Sequence, residues 1–175
     1  MEQSNKTVAG KLYLFFGSRH PFQDCTYARQ LIELSKKTTN KEDEEETPVI
    51  SHLCLCFSRA SSQVVAQFER QFDWKLCKCK EEESEIENSD ALPKHVDQLV
   101  TAHGAELVEL ITQQDAHVYI CGDWKKLGPS LAKTFSRLFS EHYLAETEPS
   151  ASSPEATKYL KELQKSGRYA VDIWS

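Results

Sequence analysis

Three polar signatures follow short apolar runs in the sequence, and their residue types suit a phosphorylated ligand. They are Gly-Ser-Arg at 17–19, Ser58 with Arg59, and Cys-Gly-Asp at 121–123. The planar fork of an arginine gives two parallel charge-assisted hydrogen bonds to a phosphate, and a neighbouring hydroxyl adds a short neutral one. Ser58 and Arg59 are therefore a candidate phosphate monoester site, although such a pair taken alone is more often plain protein surface.

The segments around these signatures alternate between strand and helix patterns. Apolar runs rich in aromatic and β-branched residues predict strands at 11–16, 49–57 and 117–121. Apolar residues at helical spacing predict helices at 24–37, 91–112, 127–139 and 155–165. Asp24 is the expected N-cap of the first helix, and Gly167 is expected to end the last one. The alternation predicts an α/β fold with a parallel sheet, so the three signatures should meet beyond the carboxyl ends of its strands.

Size and composition predict one soluble globular domain of 175 residues, with 39% hydrophobic and 27% charged residues. No apolar run approaches the roughly 18 residues of a membrane-spanning helix, and the polar start does not resemble a signal peptide. We therefore expect a cytoplasmic protein with reduced cysteines, no membrane segment and no nucleic-acid partner. Of its 27 acidic residues, 11 lie in two runs at 42–46 and 81–90. Outside these runs the chain has 16 acidic residues and 21 Lys and Arg, and this mildly basic balance suits an anionic ligand.

The ordered motifs resemble those of the flavin-dependent ferredoxin-NADP reductase superfamily, specifically its diflavin reductases. The resemblance runs through Phe-Phe-Gly-Ser-Arg-His at 15–20, Phe-Ser-Arg at 57–59, Val-Tyr-Ile-Cys-Gly-Asp at 118–123, and the final stretch 167–175, where Asp172 and Trp174 lie close to the last residue. The methionine synthase reductase branch is the most similar, and the cytochrome P450 reductase branch is next.

The resemblance implies a Rossmann-like, parallel-sheet NADP-binding lobe over 11–175. A tail at 1–10 would precede it, and an acidic insertion at about 60–92 would follow its second strand. The chain contains no Gly-x-Gly pair that could form the glycine-rich pyrophosphate turn of such lobes. We therefore interpret the lobe as N-terminally truncated.

The resemblance also implies roles for individual residues. Ser58 and Arg59 match the pair that holds the 2′-phosphate of NADPH. Lys94, His95 and Val96 match a segment that contacts this phosphate and the adenine, while Asp97 takes the place of a usual Gln and would repel a nearby phosphate. The remaining matched positions of the cofactor cleft are Gly17, Arg19 and Ser130, the last replacing a usual Asp.

Three further matched residues belong to the chemistry at the nicotinamide. Cys121 matches a thiol near the carbon that gives up hydride. Asp172 matches a carboxylate that steadies the positive charge developing on the ring. Trp174 matches a terminal aromatic residue that covers the flavin and swings away to admit the nicotinamide.

The implied function is the carboxyl-terminal NADPH-binding portion of a reductase that passes electrons through FAD and FMN to an acceptor protein. The partners would be flavin domains of the same or another chain and an acceptor such as methionine synthase. Whether the chain is itself an enzyme is left open, because flavin domains and the glycine-rich turn are missing from it. Alone, it is expected neither to bind FAD stoichiometrically nor to reduce cytochrome c with NADPH.

Two other classes of function are compatible with the residues. One is a catalytically inactive scaffold or interaction protein that keeps the lobe. The other is a metal-binding module, in which Cys54 and Cys56 would join Cys77 and Cys79 around a soft cation such as zinc. Cys54 and Cys56 lie on a predicted strand and should share one face, which favours burial in the core over metal ligation. Our preferred interpretation contains no metal site.

Overall fold

The computed structural model describes residues 10–36, 48–77, 92–123, 127–144 and 153–174, without the side chains of Ser153, Ile173 and Trp174. The chain divides into two compact units, Met1–Val96 and Asp97–Ser175. Each unit contains one pair of parallel strands with helices. This mixed architecture with parallel strands confirms the predicted α/β, Rossmann-like class. The expectation of a single domain over 11–175 stays a prediction.

The first unit is built on the strands β1 (Tyr13–Ser18) and β2 (His52–Phe57). They pair in parallel from Tyr13 opposite His52 to Ser18 opposite Phe57. Helix α1 (Ala28–Ser35) lies between them in the sequence, and α2 (Ser62–Phe72) follows β2. The helical part of the predicted insertion is thus described, whereas both acidic runs lie outside the described residues.

The core of the first unit lies on one face of β2. Leu53, Leu55 and Phe57 alternate along the strand and pack with apolar residues of both helices. The ring of Phe68 from α2 is fully buried and meets Phe57 edge to face at 5.2 Å. Because side chains alternate along a strand, His52, Cys54 and Cys56 share the opposite face of β2.

The second unit contains most of α3 (Val96–Ala102), then α4 (Gly104–Gln113), β3 (Val118–Asp123), α5 (Leu127–Phe139), a π-helical turn (Ser140–Leu144), α6 (Ser153–Lys165) and β4 (Tyr169–Trp174). Strands β3 and β4 pair in parallel, from Val118 opposite Tyr169 to Asp123 opposite Trp174. The core includes Phe135 of α5, whose ring meets the buried Tyr169 at 5.7 Å and 89°. Gly167 has φ +76° just after α6 and ends that helix as predicted.

Two helix predictions need correction. Asp24 is not an N-cap: α1 begins at Ala28, and the residue before it, Tyr27, makes no capping bond with its side chain. Asp24 instead accepts hydrogen bonds from the backbone amides of the turn after β1. The helix predicted at 91–112 is two helices, α3 and α4, because His103 leaves helical geometry and the poor helix former Gly104 follows it.

Candidate functional site

The first two signatures are joined by backbone hydrogen bonds beyond the ends of β1 and β2. The Ser58 amide donates to the Ser18 carbonyl at 3.0 Å, and the Arg59 amide donates to the Arg19 carbonyl at 2.9 Å. The parallel ladder therefore continues past both strands. The sequence predicted that these carboxyl ends would meet, and within the first unit they do.

The loop after β1 is fixed by the carboxylate of Asp24. It accepts from the backbone amides of Arg19 at 2.9 Å and His20 at 2.6 Å, and from Arg19 Nε at 3.1 Å. Partial desolvation raises the pKa of Asp24, but these hydrogen bonds and the Arg19 charge outweigh it, so the pKa lies below its usual value. Arg19, although exposed, is thus held in place beside the Ser58–Arg59 backbone.

Ser58 and Arg59 lie between the end of β2 and the start of α2. Ser58 is half-buried and Arg59 is exposed. Ser61 caps α2, since its hydroxyl accepts from the Val64 amide at 3.4 Å. The exposed guanidinium, the hydroxyl and the positive end of an 11-residue helix therefore occupy a few consecutive residues, which is a favourable setting for a phosphate.

Gly17 allows the segment 94–96 to approach the end of β1. A Cβ atom at Gly17 would lie 2.8 Å from Val96 Cγ2 and 3.2 Å from Cys56 Sγ, closer than side chains normally pack. Lys94 and His95 directly precede Val96 and are exposed. A side chain at position 17 would thus clash with Val96. The close contact also brings Lys94 and His95 near the joined ends of β1 and β2.

The second unit holds the residues assigned to the nicotinamide. Cys121 of β3 and Asp172 of β4 are opposite each other in the parallel register, and both are exposed. Trp174 is opposite Asp123, while its side chain lies outside the described residues. A thiol and a carboxylate are therefore presented together on neighbouring strands.

Ser130 and Asp97 engage each other. The Ser130 hydroxyl on α5 donates to Asp97 Oδ2 on α3 at 2.9 Å. Asp97 also accepts from the Gln98 amide at 3.1 Å through its other oxygen. The carboxylate that the resemblance would bring near a phosphate thus has hydrogen-bond partners in its own unit, and Ser130 has a structural partner in addition to its predicted cofactor contact.

Arg168 is a positioning residue to which the matched motifs assign no role. Its guanidinium donates to the carbonyls of Ile111 and, at 3.2 Å, Ala116, and it pairs with Asp115 Oδ1 at 3.2 Å. The Arg168 carbonyl accepts from the Val118 amide at 2.7 Å. Arg168 thereby fixes the start of β4 beside the start of β3, and so sets the register that pairs Cys121 with Asp172. An arginine directly after a helix-ending glycine was the available signal.

The cysteines of the metal interpretation divide differently from their sequence pairs. Cys54 Sγ of β2 lies 2.9 Å from Cys77 Sγ, whereas Cys79 lies outside the described residues. Cys54 and Cys56 do share a fully buried face, as predicted, but that face is opposite the core formed by Leu53 and Leu55. The hydrogen bond with Cys54 lowers the pKa of Cys77, and partial burial opposes this effect.

The predicted site residues thus form two groups. Gly17, Arg19, Ser58, Arg59 and the segment 94–96 belong to the first unit. Cys121, Ser130, Asp172 and Trp174 belong to the second. A single cleft that serves both groups stays a prediction.

The chain is similar over nearly its whole length to much longer reductases. Methionine synthase reductase of Homo sapiens is 24% identical over 166 residues, which are 95% of this chain and 18% of that protein. NADPH–cytochrome P450 reductase of Cavia porcellus is 25% identical over 175 residues, 100% of this chain and 19% of that protein. The bifunctional cytochrome P450/NADPH–P450 reductase of Bacillus cereus is 27% identical over 167 residues, 95% of this chain and 11% of that protein.

These similarities confirm the predicted resemblance to a lobe of the diflavin reductases. The chain spans less than a fifth of the length of each of these three relatives. No protein-family model matches the chain. Among the helices in the described part of the chain, none has the length and apolar character needed to cross a membrane.

Proposed function

We propose that this chain is the NADPH-binding portion of a flavin-dependent reductase that passes electrons from NADPH to an acceptor protein. The observation that carries the proposal is the union of the two basic signatures at the strand ends, where the Ser58 and Arg59 amides bond to the Ser18 and Arg19 carbonyls. The similarity to reductases over 95–100% of the chain supports the same function.

The first unit would bind the adenosine end of NADPH. Arg59 and Ser58 would bind the 2′-phosphate, with the start of α2 adding favourable electrostatics. Arg19, held by Asp24, would add a second cation. Lys94 would approach the same phosphate, and the His95 ring would stack on the adenine, since the contact of Val96 with Gly17 brings this segment near.

The second unit would bind the nicotinamide end. As hydride leaves NADPH, the ring gains positive charge, and the Asp172 carboxylate would stabilise it while Cys121 lies beside the reacting carbon. Ser130 would contact the same end of the cofactor. Bound FAD would supply the hydride acceptor, and the Trp174 side chain would cover that flavin until nicotinamide enters.

The partners in this proposal are flavin domains, in the same or another chain, carrying FAD and FMN. The acceptor would be a protein such as methionine synthase, in line with the name of one group of relatives. We propose a cytoplasmic location. Without flavin domains, the 175-residue chain is expected to bind nucleotide but not to reduce cytochrome c.

The proposal is tested by the ligand preference of the purified chain. Calorimetric titration should show that 2′,5′-ADP binds at least about tenfold more tightly than 5′-AMP, because a charge-assisted hydrogen bond contributes about 1.5–3 kcal/mol. NADP⁺ should bind more tightly than NAD⁺ by a similar factor. Equal affinities within each pair would contradict a 2′-phosphate site and with it the proposed function.

A further inference from the structure

The first unit contains three side chains whose chemistry is that of a metal site and which the proposed function does not use. They are His52 and Cys54 on β2 and Cys77 in the segment after α2. Their ligand atoms, an imidazole nitrogen and two sulfurs, all lie within 4.8 Å of one another. All three residues belong to the unit Met1–Val96.

Two local structures bring these residues together: His52 and Cys54 come from β2, and Cys77 comes from the segment after α2. His52 and Cys54 are two residues apart on a strand and therefore share one face of β2. The His52 ring stacks on its register partner Tyr13, with centroids 5.2 Å apart and planes at 14°, which limits its rotation. The imidazole is thus oriented by packing before any ligand arrives.

Cys77 is positioned by the turn that follows α2. Asp73 ends the helix in the left-handed region with φ 48°, and the Leu76 amide donates to Glu69 Oε1 at 2.9 Å. Leu76 is buried in the core of the unit, so the adjacent Cys77 lies against β2, with its sulfur 3.7 Å from the Leu53 carbonyl oxygen. The turn thereby directs one thiol to the Cys54 side of the strand.

We propose that His52, Cys54 and Cys77 bind a zinc-class divalent cation. Two thiolates and one neutral imidazole are a donor set that zinc accepts, at about 2.3 Å to sulfur and 2.0–2.1 Å to nitrogen. Two negative thiolates also neutralise a divalent cation, so the occupied site carries no net charge in a place where Cys54 is fully buried.

The sulfur separation makes the proposal specific. In a tetrahedral site with bonds of about 2.3 Å the two sulfurs are about 3.8 Å apart, whereas here they are 2.9 Å apart. Binding therefore requires the half-buried Cys77 to move by roughly 1 Å, while β2 and its stacked histidine keep their positions. Binding also releases the thiol protons, so affinity should rise with pH.

The test uses the 175-residue chain, reduced, freed of metal by a chelator and titrated with Co²⁺ and then Zn²⁺. We expect one equivalent of Co²⁺ to give thiolate charge-transfer absorption, which Zn²⁺ abolishes by displacement. Cys54→Ser and Cys77→Ser should each weaken Co²⁺ binding by more than about 100-fold, beyond the 10- to 100-fold typical of losing only a supporting contact. His52→Ala should weaken it by at least about tenfold.

Cys56→Ser is the matched control, since Cys56 is equally buried on the same face of the same strand. It should keep the absorption, as should Cys121→Ser in the second unit. A measurement on the unmodified chain guards against misfolded variants: Zn²⁺ should slow alkylation of Cys54 and Cys77 relative to Cys121, as read by mass spectrometry. Absent charge-transfer bands, or alkylation rates indifferent to Zn²⁺, would each overturn the proposal.

Discussion

Cys121 and Asp172, which are 51 positions apart in the sequence, are direct register partners on β3 and β4. The pairing depends on Arg168, whose carbonyl accepts from Val118 and whose guanidinium bonds to the loop before β3. The thiol and the carboxylate for which the resemblance implies roles at one reacting ring are therefore presented by one small sheet.

Asp172→Asn should weaken binding of the nicotinamide end of the nucleotide without affecting binding of the adenosine end. The positive ring of NADP⁺ loses its carboxylate partner, and we expect a loss of NADP⁺ affinity of about 1.4- to fivefold, since an exposed charge pair contributes about 0.2–1 kcal/mol. The affinity for 2′,5′-ADP, which has no nicotinamide, should not change. Calorimetry with both ligands measures the difference, and Glu109→Gln, an exposed acid on α4, is the control. An equal loss for both ligands would argue against a nicotinamide-specific role.

Gly17→Ala should reduce both stability and 2′,5′-ADP binding. The new Cβ would lie 2.8 Å from Val96 Cγ2, so the segment with Lys94 and His95 must shift. Overpacking of this kind costs about 1–3 kcal/mol, which urea unfolding would measure. Gly10→Ala, where a Cβ meets nothing within 4 Å, is the matched control. A Gly17→Ala chain with unchanged stability and affinity would show that this close approach is unimportant.

Asp24→Asn should make the free energy of unfolding of the first unit depend less on pH in the acidic range. The folded pKa of Asp24 lies below its ordinary value, so its stabilising contribution is present above about pH 4 and disappears as pH falls further. At pH 7 we expect the variant to lose about 1 kcal/mol, because the carboxylate is partly solvated. Urea unfolding at pH 7 and at pH 3 should show this gap shrinking. A gap independent of pH would mean that the charge of Asp24 contributes nothing.

Tyr169→Phe should flatten the alkaline limb of the stability curve of the second unit. Burial raises the pKa of Tyr169 to about 12. Its unfolded pKa is about 10, so stability is intact below pH 10 and is lost as pH rises toward 12. Relative to the Phe variant, the unmodified chain should lose about 2 kcal/mol over this window. Parallel curves for the two chains between pH 9 and pH 12 would contradict the buried, neutral phenol.

Several features of the fold and site could be predicted because they depend on local pattern. The apolar runs gave the three strands within two or three residues, and β4 lies in the terminal motif that carried the resemblance. Ser58 and Arg59 follow β2 directly, so predicting their position at a strand end required only the prediction of that strand. Gly167 ended α6 because few other residues adopt its positive φ so readily.

Features that depend on contacts outside the strand and helix patterns were not predicted. Asp24 precedes a helix and has the right type for a cap, but the amides of Arg19 and His20 compete for its carboxylate. The role of Arg168 depends on carbonyls more than 50 positions earlier. The meeting of Cys54 with Cys77 requires the turn at Asp73, whose left-handed backbone no apolar pattern reveals. For Arg168 and for the Cys54–Cys77 pair, tertiary structure decides among local options.

The most direct test of the central claim is the affinity of the chain for 2′,5′-ADP before and after Arg59→Ala, with Arg70→Ala as the matched control. Arg70 is also exposed but lies on the last turn of α2, at the helix end away from Ser58. We predict that Arg59→Ala weakens binding by about 10- to 150-fold, the equivalent of 1.5–3 kcal/mol for its charged hydrogen bonds, and that Arg70→Ala changes it less than twofold. Equal affinities for the two variants would contradict the account.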